Sequence, residues 1–321
     1  MTSTLEGSTG PHEDEWDFYT NPPLDDEDPP RPVEVETLRS FVERYGSPNA
    51  IPASDAARRL MSLCDEDAVP PPIDPNVVVD KGQRIGYFLW EVGLEMPQYQ
   101  PAILELVEAV QALPDLERTE QQVKEWRFKE KVKRWRDMEA FWEIWDEGYE
   151  RCCENRYPSS LDGEDPRGLV NANAFKAHCL ARNRLDPSRL RDVGAAFWLI
   201  TTTLEQDPWN HAPKTRNHET HRTMLNTNIH ALVPFFEIAG DVIYSFVDKK
   251  DLSWSDNLKY LDANLWKGEI KFTKSRWDFW KDRLQWVFEQ GELKQRTRDE
   301  ARLLAETMKT IEESGTSGDS T

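Results

Sequence analysis

The sequence predicts an all-α protein: a single-domain, multi-helix bundle or array behind a disordered acidic N-terminal tail. Three observations carry this. Apolar residues recur at steps of three and four along most of the 321-residue chain, the period of a helix with one buried face. Glycine is scarce, at 15, and long alternating β-branched runs are missing. Thirteen tryptophans supply core material. At about 150–250 Å² each, burying half of them removes on the order of 1,000 Å² from water.

Residues 1–33 hold clustered acid and proline ("PPLDDEDPPRP") and no Lys or Arg before Arg31, so they read as a disordered tail. Trp16, Phe18 and Tyr19 lie inside it. Acidic-aromatic tails order on partners, and Trp16 is therefore a candidate contact residue. The helical domain follows over 34–313, with residues 314–321 as a second disordered tail. "VETLRSFVERYG" is a helix ending in a glycine stop. "SDAARRLMSLC" is a helix with Ser54 as N-cap. "AVPPPIDPNVVVD" reads as a proline-rich linker, and "KGQRIGYFLWEVGLEM" and "PAILELVEAVQAL" as two helices parted around Pro97 and Pro101.

Between Glu117 and Glu154, Phe128, Val132, Trp135, Met138, Trp142, Trp145 and Tyr149 keep helical steps, which predicts one long amphipathic helix or two in line. Two helices split at Asp186-Pro187 come next, then the polar loop "DPWNHAPKTRNHET". "NIHALVPFFEIAGDVIYSFV" is apolar almost all round and should be the central, most buried helix. In "FTKSRWDFWKDRLQWVF", Thr273 is the expected N-cap. At about 100° per residue, Trp277, Trp280, Leu284, Val287 and Phe288 share one face, and Phe279 and Trp286 fall opposite. Arg276 and Arg283 take one polar flank, and Asp278, Lys281, Asp282 and Glu289 the other. In the last helix, Thr297 and Glu300 have capping-box spacing.

Several function classes lose support on charge and motif. The formal net charge of −19 disfavours nucleic acid and anionic membranes, because phosphate binding needs a dense positive field. The most apolar span, Ala231 to Val247, is short for a membrane crossing and carries Glu237 and Asp241. The N-terminus has no basic or apolar stretch of a secretory signal. Four cysteines without a CxxC spacing fit neither a disulfide frame nor a zinc knuckle. "HETH" places two histidines three apart, not the four of HExxH, so no metal site is assigned. "GDVIYSFVDKK" superficially resembles a metal segment of class I terpene cyclases, but Lys249 stands where an acid is required. No nucleophile elbow, P-loop or dinucleotide fingerprint occurs. No catalytic residue, cofactor or metal is expected. The basic run Lys124 to Arg136 is the strongest positive patch, read as a solvated helix face, a nuclear-import signal or a docking face for an acidic partner such as the chain's own N-terminal tail.

"LWKGEIKFTKSRWDFWKDRLQWV" resembles the C-terminal signature of a fungal family of uncharacterised proteins, domain of unknown function 3632. The matching residues are Trp266, Gly268, Phe272, Thr273, Arg276, Trp277, Trp280 and Lys281. Upstream, Ala239, Gly240 and Tyr244 fit the family's apolar helix. The resemblance spans about residues 85–313 and implies an intracellular, mainly helical protein, cytoplasmic or nuclear, with no activity to transfer. Arg276 beside Trp277 reads either as a functional cation or as a structural stacking pair. The expectation for function is a non-enzymatic interaction or regulatory protein with a protein partner, Phe279, Trp286 and Trp16 being the candidate interface residues. The alternative is a small-molecule binder or enzyme with a helical pocket.

Overall fold

A computed structural model describes residues 16–20, 29–62, 75–114, 116–117, 120, 132–133, 145–150, 152, 167–182, 190–206, 218–249, 265–269 and 271–316. The fold is all-α, with two compact units. Unit 1 comprises Met1–Glu91 and Pro101–Asp146, and unit 2 comprises Val92–Gln100 and Glu147–Thr321.

Unit 1 begins with α1 (Asp17–Thr20), a single turn inside the stretch expected to be disordered. Its neighbour Trp16 and its own Tyr19 are buried. In α2 (Pro32–Glu43), proline opens the helix, where its missing N–H costs nothing. Val35, Leu38, Phe41 and Val42 form the buried stripe. The chain then turns at Gly46 with φ +73°, a left-handed conformation that suits glycine, as the stop signal implied. Helix α3 (Ala53–Leu60) starts one residue before Ser54; Pro52 occupies the cap position and no side chain caps the helix.

Helix α4 (Pro75–Glu95) runs further back than the sequence suggested. Pro75 is a compatible first residue, so the end of the proposed linker, "NVVVD", joins the helix. Within unit 1, α4 buries Ile85, Phe88 and Leu89, and Arg84 makes a buried two-toothed ion pair with Glu34 of α2, at 2.9 and 3.2 Å. After a 3₁₀ turn (Pro97–Tyr99), α5 (Gln100–Gln111) buries Ile103, Leu106, Val107 and Val110.

The long helix expected over Glu117–Glu154 is corrected. Strand β1 (Leu116–Glu117) pairs antiparallel with β2 (Val132–Lys133), so cross-strand pairing overrides the helical period there. Residues 145–150 are helical, and Trp145 and Tyr149, four apart, are both buried. Trp145 Nε1 donates to the Gly86 carbonyl at 3.1 Å, and its ring meets Trp90. Phe128, Trp135, Met138 and Trp142, and the basic run Lys124 to Arg136 apart from the backbone of 132–133, lie outside the described residues.

Unit 2 is built from α6 (Arg167–Arg182), α7 (Leu190–Leu204), α8 (His218–Tyr244), α9 (Lys274–Glu289) and α10 (Gln295–Thr316). Helix α8 packs against α6, α7 and α10, the central position its all-round apolarity predicts. It begins at His218, inside the stretch read as a polar loop. Gly240 lies where α8 meets α10: a Cβ there would lie 2.4 Å from Ile311 Cδ1, so the end of that side chain would have to shift. Polar clamps finish the packing. Tyr149 donates to Asn173 Oδ1 at 2.8 Å, and Gln100 Nε2 donates to the carbonyls of Gly93 and Asn171 at 2.8 and 2.9 Å.

The capping box in the last helix does not form. Helix α10 starts at Gln295, and buried Thr297 donates instead to Asn226 Oδ1 on α8 at 2.8 Å. Glu300 turns to His230 of α8 and to Arg296.

Candidate functional site

The family-motif residues gather around one buried ion pair. Helix α9 starts at its predicted cap: Thr273 Oγ1 accepts from the Arg276 N–H at 3.2 Å. A second cap comes from Asp248, beyond the end of α8, whose Oδ1 accepts from the Lys274 N–H at 3.3 Å. An anion is favourable at that helix end. Asp248 reaches it with φ 60°, a left-handed conformation uncommon outside glycine, held by its own N–H bonding the Phe272 carbonyl at 2.8 Å.

From this start, Trp277, Trp280, Leu284 and Val287 point inward and are fully buried, as the wheel predicts. Arg276 departs from it. Read as a flank residue, it is 2% exposed. The cause is Glu205, just past the end of α7 and wholly buried. Arg276 Nε and Nη2 donate to its two carboxylate oxygens at 2.5 and 2.7 Å, the fork geometry arginine is built for. Trp280 Nε1 adds a third bond to the same carboxylate at 2.7 Å.

Aromatic rings wall the pair. The Arg276 guanidinium lies 4.7 Å from the Phe197 ring centre, 5.8 Å from Trp280 and 5.9 Å from Trp266. Phe272 stacks against Phe197, Trp277 and Trp280. Trp266 is held from behind: its Nε1 donates to the Glu269 carbonyl at 2.9 Å, and its ring fills the space where Gly268 would carry a Cβ, at 2.3 Å. Any larger residue at 268 must displace the ring. The backbone joins in, with the Leu265 N–H on the Glu205 carbonyl at 2.9 Å.

Lys281, the last motif residue, lies in a surface network. It and Lys274 bridge Asp278 on α9 to Glu312 on α10. Partial burial alone would lower both lysines and raise both acids. The opposing hydrogen bonds and charges outweigh it, so the lysines titrate above and the acids below their ordinary values.

The candidate interface residues are placed as follows. Phe279 and Trp286 lie on the far side of α9, both half-buried. Phe279 meets the Trp266 ring at 5.4 Å, and the Arg283 guanidinium covers Trp286 at 4.0 Å. Arg283 also donates to the Leu204 carbonyl at 3.0 Å, closing the C-terminal end of α7. Trp16 belongs to unit 1 and is buried there. The "GDVIYSFVDKK" segment closes a helix: Ser245 Oγ donates to the Val242 carbonyl, Lys249 sits over Phe246, and Asp241 is exposed. His211 lies outside the described residues, as do the side chains of His218 and His221. Among the described residues no cluster of three His, Cys, Asp or Glu is placed to hold a metal, and no helix is long and apolar enough to cross a membrane.

Chemically, the Glu205 carboxylate accepts three donors and its charge is matched by the guanidinium, whose Nη1 also donates to the Lys271 carbonyl at 3.4 Å. Sequence reasoning missed Glu205. Its signal was a lone acid ending the apolar run "AAFWLITTTLEQ".

Residues 87–284 match the family described as Protein of unknown function (DUF3632). The chain belongs to this family. The match takes in Trp266, Gly268, Phe272, Arg276, Trp277, Trp280 and Lys281, as well as Glu205 and Gly240. In this DUF3632 protein those residues build one buried centre, one close helix contact and one surface network. No curated protein and no solved structure matches the chain.

Proposed function

We propose that this DUF3632 protein is a non-enzymatic intracellular interaction protein that engages a protein partner through the Phe279/Trp286 side of α9. One observation carries the reading. The Arg276 charge of the family motif is matched inside the fold and that of Lys281 in a surface network, whereas the two aromatics on the opposite side of the same helix keep some exposed surface. Partly buried aromatics with a cation stacked on one of them are the composition of interface anchors. The partner would offer an apolar pocket with an acidic group opposite Arg283.

Affinity capture from an extract of the native host tests this. A specific partner held by the wild-type chain should be lost by Phe279→Ala/Trp286→Ala and kept by an exposed-residue control such as Glu289→Ala. Unchanged capture by the folded double variant refutes the assignment.

A second reading, a small-molecule binder, has one specific observation in its favour. Both ends of the buried Asn228 amide on α8, and the hydroxyls of Thr201 and Thr203 on α7, have no hydrogen-bond partner among the described residues. Groups left this way are either hydrated or matched by a ligand. Native mass spectrometry of the purified chain separates the two readings: a reproducible small-molecule adduct, lost in Asn228→Leu, favours the binder.

A further inference from the structure

The turn at residues 16–20 has an unusual physical standing. Four helical residues are far below the roughly 12–15 needed for a helix to persist alone, so docking holds it in shape. Two aromatics three residues apart do the docking. Trp16 is 2% and Tyr19 5% exposed, while Asp17 and Thr20 face out. Tyr19 meets Phe88 of α4 edge-on at 5.4 Å and Trp16 at 6.1 Å, and the turn packs on α2. The Trp16 carbonyl accepts from the Thr20 N–H and hydroxyl at 3.0 and 2.9 Å, which locks the spacing.

The surrounding composition is that of a peptide ligand. Residues 11–28, "PHEDEWDFYTNPPLDDED", contain eight acids and no Lys or Arg. Such a stretch cannot build a core of its own and orders only on a surface that receives its anchors. An amphipathic turn with aromatic anchors laid on helices is the helix-in-groove mode of recognition.

We infer that the α2/α4 surface of unit 1 is a receptor for a short helical segment carrying aromatics at i and i+3. Residues 16–20 of this chain are its resident, exchangeable ligand. The contact is autoinhibitory: a partner reaches the surface by presenting the same chemistry and displacing the chain's own turn. This goes beyond the α9 reading and uses other residues in the other unit, so either can fail alone.

The test uses the full chain and a fluorescein-labelled peptide of residues 11–28, read by anisotropy. The Trp16→Ala/Tyr19→Ala chain should bind it saturably. The wild-type chain should bind at least about a hundredfold more weakly, because a tethered ligand competes at roughly millimolar effective concentration. A peptide with both aromatics changed to alanine should not bind. Where the double variant is too unstable to fold, excess peptide should raise its melting temperature in a concentration-dependent way. The inference is overturned by equal binding to both chains, by equal binding of the alanine peptide, or by neither binding nor thermal rescue.

Discussion

Glu205→Gln keeps the size of the side chain and removes its charge. The carboxylate now accepts two bonds from Arg276 and one from Trp280, inside a site with 0% exposure at Glu205. Glutamine has one acceptor oxygen, and its NH2 must face a guanidinium N–H or the indole N–H, donor against donor. At least one charge-assisted bond is lost, about 1.5–3 kcal/mol. The guanidinium also stays buried without a counter-charge, and breaking such a pair costs about 3–5 kcal/mol. The larger figure includes the smaller, so about 3–5 kcal/mol is expected. For a unit of this size that is roughly a 6–20 °C fall in Tm. Urea melts followed by tryptophan fluorescence, with calorimetry beside them, measure it. Arg276→Met/Glu205→Leu removes both charges and should lie closer to wild type than either single charge removal. A Glu205→Gln loss below about 1 kcal/mol, or a double-variant loss equal to the sum of the singles, would refute a coupled buried pair.

Three further outcomes follow from the same geometry. Gly240→Ala places a methyl against Ile311 Cδ1 and should cost about 1–3 kcal/mol; Ile311→Val, which deletes that atom, should restore most of it in urea melts. Trp280→Phe should destabilise by about 1.5–3 kcal/mol more than Trp277→Phe, since Trp280 donates to a carboxylate and the Trp277 N–H has no partner among the described residues. Burial would raise Glu300, but the bonds and charges of His230 and Arg296 outweigh it and hold its pKa below the ordinary value. Its contribution is therefore complete above the ordinary carboxylate pKa of about 4.3 and is lost as pH falls through the depressed value. Glu300→Gln should flatten the acid limb of a stability-against-pH curve.

Much of unit 2 was legible because its signals are local. Helical period, a Thr cap and an all-apolar run each follow from a few neighbouring residues, and they place α8 and the inner face of α9 correctly. The failures share a cause. Arg276 sits on a flank of the wheel, and only a partner 71 positions away makes it a core residue. Thr297 and Glu300 have box spacing, but Asn226 and His230 on another helix offer bonds that close packing makes available. The 117–154 stretch fails for the same reason at β1 and β2. Proline misled at the C-terminal end of the linker reading, since Pro75 opens a helix as readily as it breaks one. Gly240 and Gly268 carried a family signal whose physical reason, a methyl and an indole pressed against the backbone, needs three dimensions.

On the proposed function α9 has two sides: Arg276 and its motif neighbours hold the fold, and Phe279 with Trp286 would meet the partner. Partner capture by two folded variants, compared at matched helicity by circular dichroism, tests that division most directly. The account predicts that Arg276→Met/Glu205→Leu retains the partner while Phe279→Ala/Trp286→Ala releases it. The reverse pattern, loss with the charge-pair variant and retention with the aromatic one, would make Arg276 the functional cation and contradict the account.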